Sequence, residues 1–257
     1  MIATTSLRTT KQITEKAKRV ATELNIPYID RNDQPIPRLY NVYECDVLVV
    51  GSNRLSIYQL GLNEPLFFHP NSAMFRVKRF FRGEIDPFLK VSKLSSEMSI
   101  VDCTLGLASD SILSSVVVGK KGHVVGVEGN RFLSYIVRHG LLNWQTGLKE
   151  MDEAMRRIDV VEMKNFEYLR SQKDNSFDVV YFDPMFEFQV KKSDGINKIR
   201  QFTLSDPLDE ETLEEAKRVA RQRVVLKDHW KSTRFDRFGF NVFKRPTSKF
   251  HYASIEL

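Results

Sequence analysis

The chain has 257 residues, 42% of them hydrophobic and 28% charged, which is enough to bury a sizeable core without disulfides or metals. No apolar run approaches the roughly 18 residues that a membrane helix needs, and the N-terminus lacks the apolar stretch of a secretory signal. The two cysteines are far apart, which is typical neither of a disulfide framework nor of a zinc site, so we expect a cytoplasmic protein. The net charge of +6 permits a polyanionic partner without requiring one.

Residues 1–75 predict a small α+β region. Apolar and small residues recur at helical spacing over Thr9–Leu24, and three prolines then interrupt the pattern. The segments "CDVLVV" and "LSIYQL" predict two strands around the turn "GSN", and "PLFFHPN" predicts a short third strand.

Residues 76–257 predict a second region in which strands and helices alternate from about Ser99 onward. The predicted strands are "SIVDCT", "HVVGVE", "IDVVEM", "SFDVVYF" and "RQRVVLK", and the helices between them include "NRFLSYIVRHGLLNW" and "DEETLEEAKRVA". This alternation is typical of an α/β fold with a mainly parallel, doubly wound sheet. The final pair "FNVFK" and "KFHYASIEL" predicts one antiparallel strand at the edge.

A glycine turn and an acid follow the first two strands of this sheet, where doubly wound folds bind ligands. Candidate contacts in and beside the turn are Asp102, Thr104, Gly106, Ser109 and Asp110. Glu128, at the end of the second strand, is placed to accept hydrogen bonds from the two hydroxyls of a ribose. The alternative is a structural turn with a solvated acid.

The identity of this nucleoside ligand follows from what the turn lacks. A dinucleotide site needs several glycines, whereas this turn has Gly106 alone. The neighbouring acids Asp102 and Asp110 would repel a pyrophosphate but suit an ammonium and a sulfonium. We therefore predict S-adenosylmethionine. Lys164 or Asn165, after the third strand, could meet the adenine, although Asn165 could equally be a helix N-cap.

The stretch "YFDPMF" ends the fourth strand with Asp183, Pro184, Met185 and Phe186. It resembles the [Asp/Asn/Ser]-Pro-Pro-[Tyr/Phe] motif of methyltransferases that modify exocyclic amines of bases. Asp183 and a backbone carbonyl in a turn rigidified by Pro184 would hold the amine, and Phe186 would stack on the base. The alternative is a strand that stops and buries Phe186.

Taken in order, "VDCTLGLASD", "GVEGN", "YFDPMF" and "RVVLK" resemble the RsmJ-type 16S ribosomal RNA guanine-N2 methyltransferases over roughly residues 65–257. The resemblance implies a class I, Rossmann-like methyltransferase fold that uses S-adenosylmethionine. Position by position, it implies cofactor contacts at Ser109, Asp110, Glu128, Gly129, Lys164, Asn165 and Asp183. The chain departs from the family at Ser109 and Gly129, where relatives carry arginine or a similar residue.

Basic residues flank these motifs. A helix over "FRVKRFFRG" would carry Arg76, Arg79 and Arg82 at three-residue steps, and the segment after Phe186 carries Lys192, Lys198 and Arg200. Lys227 ends the fifth strand. We expect these seven residues to contact RNA phosphates. A solvated basic face, or for Lys227 a snorkelling strand-end lysine, is the alternative.

The sequence therefore predicts a cytoplasmic methyltransferase of RNA-binding type, acting in rRNA processing and methylation on guanine N2 of small-subunit rRNA. Two alternatives stay open: methyl transfer to DNA or to a protein amide, and a non-catalytic RNA-binding or ribosome-assembly factor that keeps the fold. The sequence does not indicate the oligomeric state.

Overall fold

The computed structural model describes residues 1–62, 64–184 and 208–257, and the chain forms two compact units. The first unit combines Met1–His69 with Tyr135–Trp144, and the second combines Pro70–Ser134 with Gln145–Leu257. The first unit is therefore discontinuous in sequence, because it includes ten residues from the predicted methyltransferase region.

The first unit holds a four-stranded sheet in the order β1-β2-β3-β4, with β1 parallel to β2 and the other pairs antiparallel. Its elements are β1 (Ile2–Thr5), α1 (Lys11–Glu23), α2 (Ile36–Tyr43), β2 (Val47–Val50), β3 (Leu55–Tyr58) and β4 (Leu66–Phe67). The predicted helix and the strands β2 to β4 are confirmed.

Two elements of the first unit were not predicted. Strand β1 is only four residues long and half threonine, so its sequence carries no apolar run, yet all four residues are buried. Helix α2 begins directly after Pro35 and has Pro37 in its first turn. Prolines are tolerated there because the first backbone N–H groups of a helix have no partner within it. The prolines therefore start a helix here instead of excluding one.

The second unit contains a seven-stranded sheet and the helices that cover it. Helix α6 begins here and continues into the first unit. The elements are α3 (Asn71–Phe81), α4 (Pro87–Ser92), β5 (Ser99–Asp102), α5 (Ser109–Val118), β6 (His123–Glu128), α6 (Arg131–Asn143), α7 (Lys149–Arg156), β7 (Ile158–Glu162), α8 (Asn165–Ser171), β8 (Phe177–Phe182), α9 (Glu210–Val219), β9 (Ala220–His229), α10 (Arg234–Arg237), β10 (Asn241–Phe243) and β11 (Phe250–Glu256).

The strand order of this sheet is β10-β11-β9-β8-β5-β6-β7. Strands β7, β6, β5, β8 and β9 are parallel, and β11 is antiparallel to both β9 and β10. The predicted α/β fold with a mainly parallel, Rossmann-like sheet is confirmed. The antiparallel strand is β11, and β10 lies outside it. From β5 the chain proceeds outward through β6 and β7, then returns to β8 on the other side. The switch point is therefore between β5 and β8.

Helices cover both faces of the sheet, which explains why its strands are apolar throughout. Val180 and Phe182 of β8 belong to one buried cluster with Leu169 of α8 and Leu213 of α9. Tyr181, which points to the opposite face because side chains alternate along a strand, instead packs edge-on against Phe88 of α4 at 4.8 Å. Two-sided burial fixes the strands and leaves their carboxyl ends as the accessible edge.

An ion pair and hydrogen bonds join the amino end of β8 to β5 and β9. The carboxylate of Asp178 accepts hydrogen bonds from the Ser99 backbone N–H and hydroxyl at 2.7 and 2.8 Å and from Arg221 at 2.9 and 3.0 Å. Burial alone would raise the pKa of Asp178, but these bonds outweigh it and lower the pKa from 3.8 to about 2. A lowered pKa means that folding favours the ionised form, so its stabilisation is present above pH 4 and is lost as pH falls toward 2.

We expect Asp178→Asn to reduce the free energy of unfolding by about 1–2 kcal/mol at pH 7. In chemical denaturation, the free energies of unfolding of the variant and the wild type should differ less at pH 3 than at pH 7. Asp159→Asn, which removes an exposed acid, is the control and should change stability by less than about 0.5 kcal/mol. A pH-independent difference would contradict the assignment.

Candidate active site at the switch point

The turn between β5 and α5 is tightly bent. Gly106 and Ala108 both adopt left-handed backbone angles, with φ of +49° and +62°. For alanine this conformation costs about 1 kcal/mol, so the surrounding contacts must hold it. The Leu105 N–H donates to the carbonyl of Val127 at 3.0 Å. A Cβ at Gly126 would lie only 2.3 Å from the Leu105 side chain, so the absence of a side chain there makes room for the turn.

Thr104 connects the ends of β5 and β8. Its backbone N–H and hydroxyl donate to the Asp102 carboxylate at 3.1 and 3.3 Å, and its hydroxyl oxygen accepts the backbone N–H of Asp183 at 2.6 Å. Asp102 also accepts the Ser111 hydroxyl at 2.6 Å. Burial raises the pKa of Asp102 to about 7 despite these donors. The two predicted motifs therefore meet at the switch point.

Glu128 lies beside the glycine turn, as the order of the parallel strands requires. The residue is only 6% exposed, and its carboxylate accepts the backbone N–H groups of Gly106 and Asn130 at 3.2 and 3.0 Å. Both donors fix the carboxylate at the end of β6. Gly129 follows directly, between β6 and α6.

The remaining predicted cofactor contacts fall into two groups. The hydroxyl of Ser109, the first residue of α5, is buried and has no hydrogen-bond partner among the described residues. After β7, Lys164 is exposed and occupies the N-cap of α8, while Asn165 is the first helical residue and 6% exposed. The alternative of Asn165 as an N-cap is therefore wrong.

A chain of alternating charges extends from the end of β8 into the protein. The Lys227 ammonium lies 2.5 Å from Asp183 Oδ2 and 3.8 Å from Asp110 Oδ2. Asp110 Oδ1 accepts the Arg76 guanidinium at 2.7 Å, and Arg76 also donates to both oxygens of Asp86 at 2.9 and 3.0 Å. The side chains of Lys227 and Arg76 are each only 16% exposed.

The charges of this chain determine one another. Burial alone would lower the pKa of Lys227, but Asp183 and Asp110 outweigh it and the pKa is raised, so the ammonium stays protonated. Burial raises the pKa of Asp183, and Lys227 opposes that rise. Burial would also raise the pKa of Asp110, but the cations Arg76 and Lys227 hold it below its ordinary value. Asp110 is thus an anion neutralised by protein cations.

This arrangement gives three of the predicted contact residues partners within the protein. Arg76 and Lys227, which were expected to contact RNA, lie largely buried in ion pairs, and Asp110, which was expected to contact the cofactor, is held by Arg76. Three-residue steps rotate by about 60° around a helix, so Arg76, Arg79 and Arg82 do not share one orientation. Arg79 is instead paired with Glu84 at 2.6 Å, and Arg82 is exposed at the C-cap of α3.

Pro184 is the last described residue of its motif and is buried. The predicted contacts Met185, Phe186, Lys192, Lys198 and Arg200 lie outside the described residues.

Sequence reasoning missed the contact between Lys227 and Asp183. The register of β8 and β9 aligns Phe182 with Leu226, which puts the next residue of each strand side by side. The order of predicted strands could have made β8 and β9 neighbours, but the register that pairs these two residues depends on packing.

The donors and acceptors at this edge fit S-adenosylmethionine. The fixed carboxylate of Glu128 suits a ribose diol, and the buried amide of Asn165 suits the edge of adenine. The buried, unpartnered hydroxyl of Ser109 can donate to a carboxylate such as that of the methionine moiety. These three groups come from α5, β6 and α8, which all meet at the carboxyl edge of the sheet.

Two relatives illustrate what the chain is similar to. It is 49% identical over 253 residues to "Uncharacterized protein YpiP" of Bacillus subtilis (strain 168), which covers 98% of each chain. It is 26% identical over 122 residues to ribosomal RNA small subunit methyltransferase J of Francisella tularensis, a match that spans 46% of this chain and about half (48%) of that one.

The fold also matches a solved structure, that of a SAM-dependent methyltransferase from Neisseria gonorrhoeae, with a TM-score of 0.62 over 100% of this chain and 96% of the other. At 15% identity this likeness concerns the fold alone. A family model described as "Putative SAM-dependent methyltransferase" matches residues 41–236, which is most of the chain. The chain therefore belongs to this family of SAM-dependent methyltransferases, and S-adenosylmethionine is its methyl donor.

Proposed function

We propose that this protein methylates an exocyclic amine of a base in RNA, with guanine N2 of small-subunit rRNA as the acceptor. The observation that carries the proposal is the position of Asp183. Its backbone N–H is tied to the cofactor turn through Thr104, and its carboxylate is held by Lys227. A carboxylate held next to the proposed site of the methyl donor suits an amine, which must lose a proton when it is methylated.

The chemistry explains why an acid is needed there. The nitrogen of a base amine is a poor nucleophile because its lone pair is delocalised into the ring. When bound, S-adenosylmethionine supplies an electrophilic methyl group on its sulfonium. In the proposal, Asp183 Oδ1 accepts one N–H of the amine while Oδ2 stays on Lys227, which aims the nitrogen lone pair at the methyl carbon.

The proton balance of the step also assigns a role to Asp183. The methyl group would pass from the sulfonium of S-adenosylmethionine to the amine nitrogen, and the Asp183 carboxylate would take the amine proton. Burial raises the pKa of Asp183, which suits a proton acceptor, and the neighbouring Lys227 ammonium favours its ionised form. Pro184 follows with no backbone N–H that could compete for the carboxylate.

The choice of RNA is supported by the name of the Francisella relative and by the net charge of +6. The test is transfer of tritium from labelled S-adenosylmethionine to purified rRNA and to small ribosomal subunits, followed by nucleoside digestion and mass spectrometry. We expect label in N2-methylguanosine, and rRNA from a strain lacking the gene should lack one such residue. Label in DNA or protein alone would refute the RNA proposal.

Glu128 provides a separate prediction for the cofactor. In Glu128→Gln the side-chain oxygen can still accept one backbone N–H, so the fold should persist, but the charge that favours a ribose diol is lost. We expect the affinity for S-adenosylmethionine to fall about tenfold by calorimetry. Glu162→Gln is the matched control, because Glu162 is the exposed register partner of Glu128 on β7 and should leave affinity unchanged. Equal affinities for both variants would contradict the ribose role.

A further inference from the structure

Most of the net charge of the chain is concentrated in one short segment. Residues 227–251 contain seven lysines and arginines against two aspartates, a net +5 of the chain's +6. Three of these cations are engaged in ion pairs within the protein: Lys227 with Asp183, Arg234 with Asp228 and Arg237 with Glu210. The other four lie on the surface, either exposed or partly exposed: Lys231, Lys244, Arg245 and Lys249.

Strand register places these four cations at the edge of the sheet that carries the site. Phe250 pairs with His229, so the antiparallel strand β11 begins where β9 ends. The turn between β10 and β11, residues 244–249, therefore lies at the carboxyl edge of the parallel strands. Two residues further along β11, Tyr252 pairs with Lys227, which holds Asp183. The cationic turn and the proposed acceptor site share one edge.

An aromatic side chain stands among the cations. Trp230 is 51% exposed, and the Lys231 ammonium lies 4.9 Å from the centre of its ring. The Trp230 backbone N–H donates to the carbonyl of Lys249 at 3.1 Å, which ties the tryptophan to the β10–β11 turn. An exposed indole offers a flat aromatic face on which an unpaired base can stack.

The loop that presents Trp230 is rigidly anchored. Asp228 is 0% exposed and accepts the His229 backbone N–H at 2.6 Å, the Ser232 hydroxyl at 2.6 Å and the Arg234 guanidinium at 2.8 Å. A buried carboxylate with three donors fixes the backbone on both sides of the tryptophan. The backbone that carries the ring therefore has little conformational entropy to lose on binding.

We infer that Trp230, Lys231, Lys244, Arg245 and Lys249, here called the basic rim, bind a single-stranded RNA segment next to the base that enters the site. The inference rests on the proposed function. Cations grip phosphates regardless of sequence, and an aromatic face stacks on an unpaired base. Cations interleaved with an aromatic face match the alternating phosphates and bases of a single strand, which is why the combination favours nucleic acid. A flanking strand held here would keep the methylated base near Asp183.

The test measures binding of a fluorescein-labelled, single-stranded 20-nucleotide RNA by anisotropy at several salt concentrations. We expect Trp230→Ala to weaken binding about tenfold with an unchanged salt slope, and Trp230→Phe to restore most of the affinity. The triple variant Lys244→Gln, Arg245→Gln, Lys249→Gln should weaken binding and reduce the salt slope by about 2, since each lost phosphate contact removes about 0.7.

A matched triple variant removes the same charge from the opposite edge of the sheet: Lys120→Gln, Lys121→Gln, Lys173→Gln. These exposed lysines precede β6 and β8, so RNA affinity should fall far less than in the rim variant. Equal losses in the two triple variants, or no RNA binding by the wild type, would overturn the rim. Rim-dependent binding of polyglutamate as tight as that of RNA would overturn the choice of RNA.

The rim and the proposed function can fail separately. Affinity for S-adenosylmethionine should be unchanged in every rim variant. Rim-dependent RNA binding without methyl transfer to any RNA would refute the proposed function and leave the rim. Methyl transfer to rRNA with rates and affinities unaffected in the rim variants would refute the rim and leave the function.

Discussion

Replacing Asp183 with asparagine will reduce methyl transfer about 10³-fold while affinity for S-adenosylmethionine stays within a few-fold of the wild type. Asparagine has nearly the same shape, so Thr104 can still accept its backbone N–H. The amide cannot take a proton, and it offers Lys227 a neutral group in place of the carboxylate at 2.5 Å. The amine of the nucleobase then loses both a charged hydrogen-bond acceptor and the group that takes its proton.

Single-turnover transfer from labelled cofactor separates this effect from binding, with cofactor affinity measured by calorimetry on the same preparations. Asp178→Asn is the matched control, because Asp178 lies at the other end of the same strand, where Arg221 and Ser99 hold it. That variant should lose stability but keep its rate of transfer. A near-normal rate in Asp183→Asn would show that another residue accepts the amine proton. A loss confined to cofactor affinity would show that Asp183 is a cofactor ligand.

Strand order determines where the glycine turn and Glu128 lie, and their neighbouring positions could therefore be predicted from the sequence. Asp102, Gly106 and Glu128 end or follow strands whose apolar runs and alternation with helices were evident, and parallel neighbours bring their carboxyl ends together. A glycine and an acid at such ends are therefore expected to lie near one another. Strand order thus brings Gly106 and Glu128 to neighbouring strand ends, and local packing sets the hydrogen bond between them.

The part that was missed depends on long-range packing. Arg76 stands in a run of basic residues, and nothing in its spacing indicates that it, and not Arg79 or Arg82, turns inward to Asp110, 34 residues away. The first unit gives a second case. A Cβ at Gly140 would lie 2.2 Å from the Phe68 ring, so this glycine allows close packing against a residue far earlier in the chain. Such pairs have no local pattern in the sequence.

The contact between Asp183 and Lys227 has consequences for stability as well as for catalysis. A buried ion pair need not stabilise a fold more than an apolar pair would, but removing one partner leaves an uncompensated buried charge. We therefore expect Lys227→Met to reduce the free energy of unfolding by about 3 kcal/mol by chemical denaturation. The double variant Asp183→Asn, Lys227→Met should lose less than the sum of its single variants, since neither charge then remains alone.

The same variant should also change the dependence of the rate on pH. Burial raises the pKa of Asp183 and the ammonium of Lys227 lowers it, so removing the ammonium raises that pKa further. A higher pKa leaves less carboxylate at neutral pH, and the acid limb of the rate profile should therefore move to higher pH. A purely structural lysine would alter stability without moving that limb.

Lys227→Arg should retain most of the wild-type stability, because the charge beside Asp183 is kept. Lys173→Met, at an exposed position on the opposite edge of the sheet, is the control and should change stability by less than about 0.5 kcal/mol. If Lys227→Met matched this control in both stability and pH profile, the ion pair would not exist in solution. Its loss would then leave Asp183 with Thr104 as its support in the described part of the site, and the proposed acceptor would lack the cation that keeps it ionised.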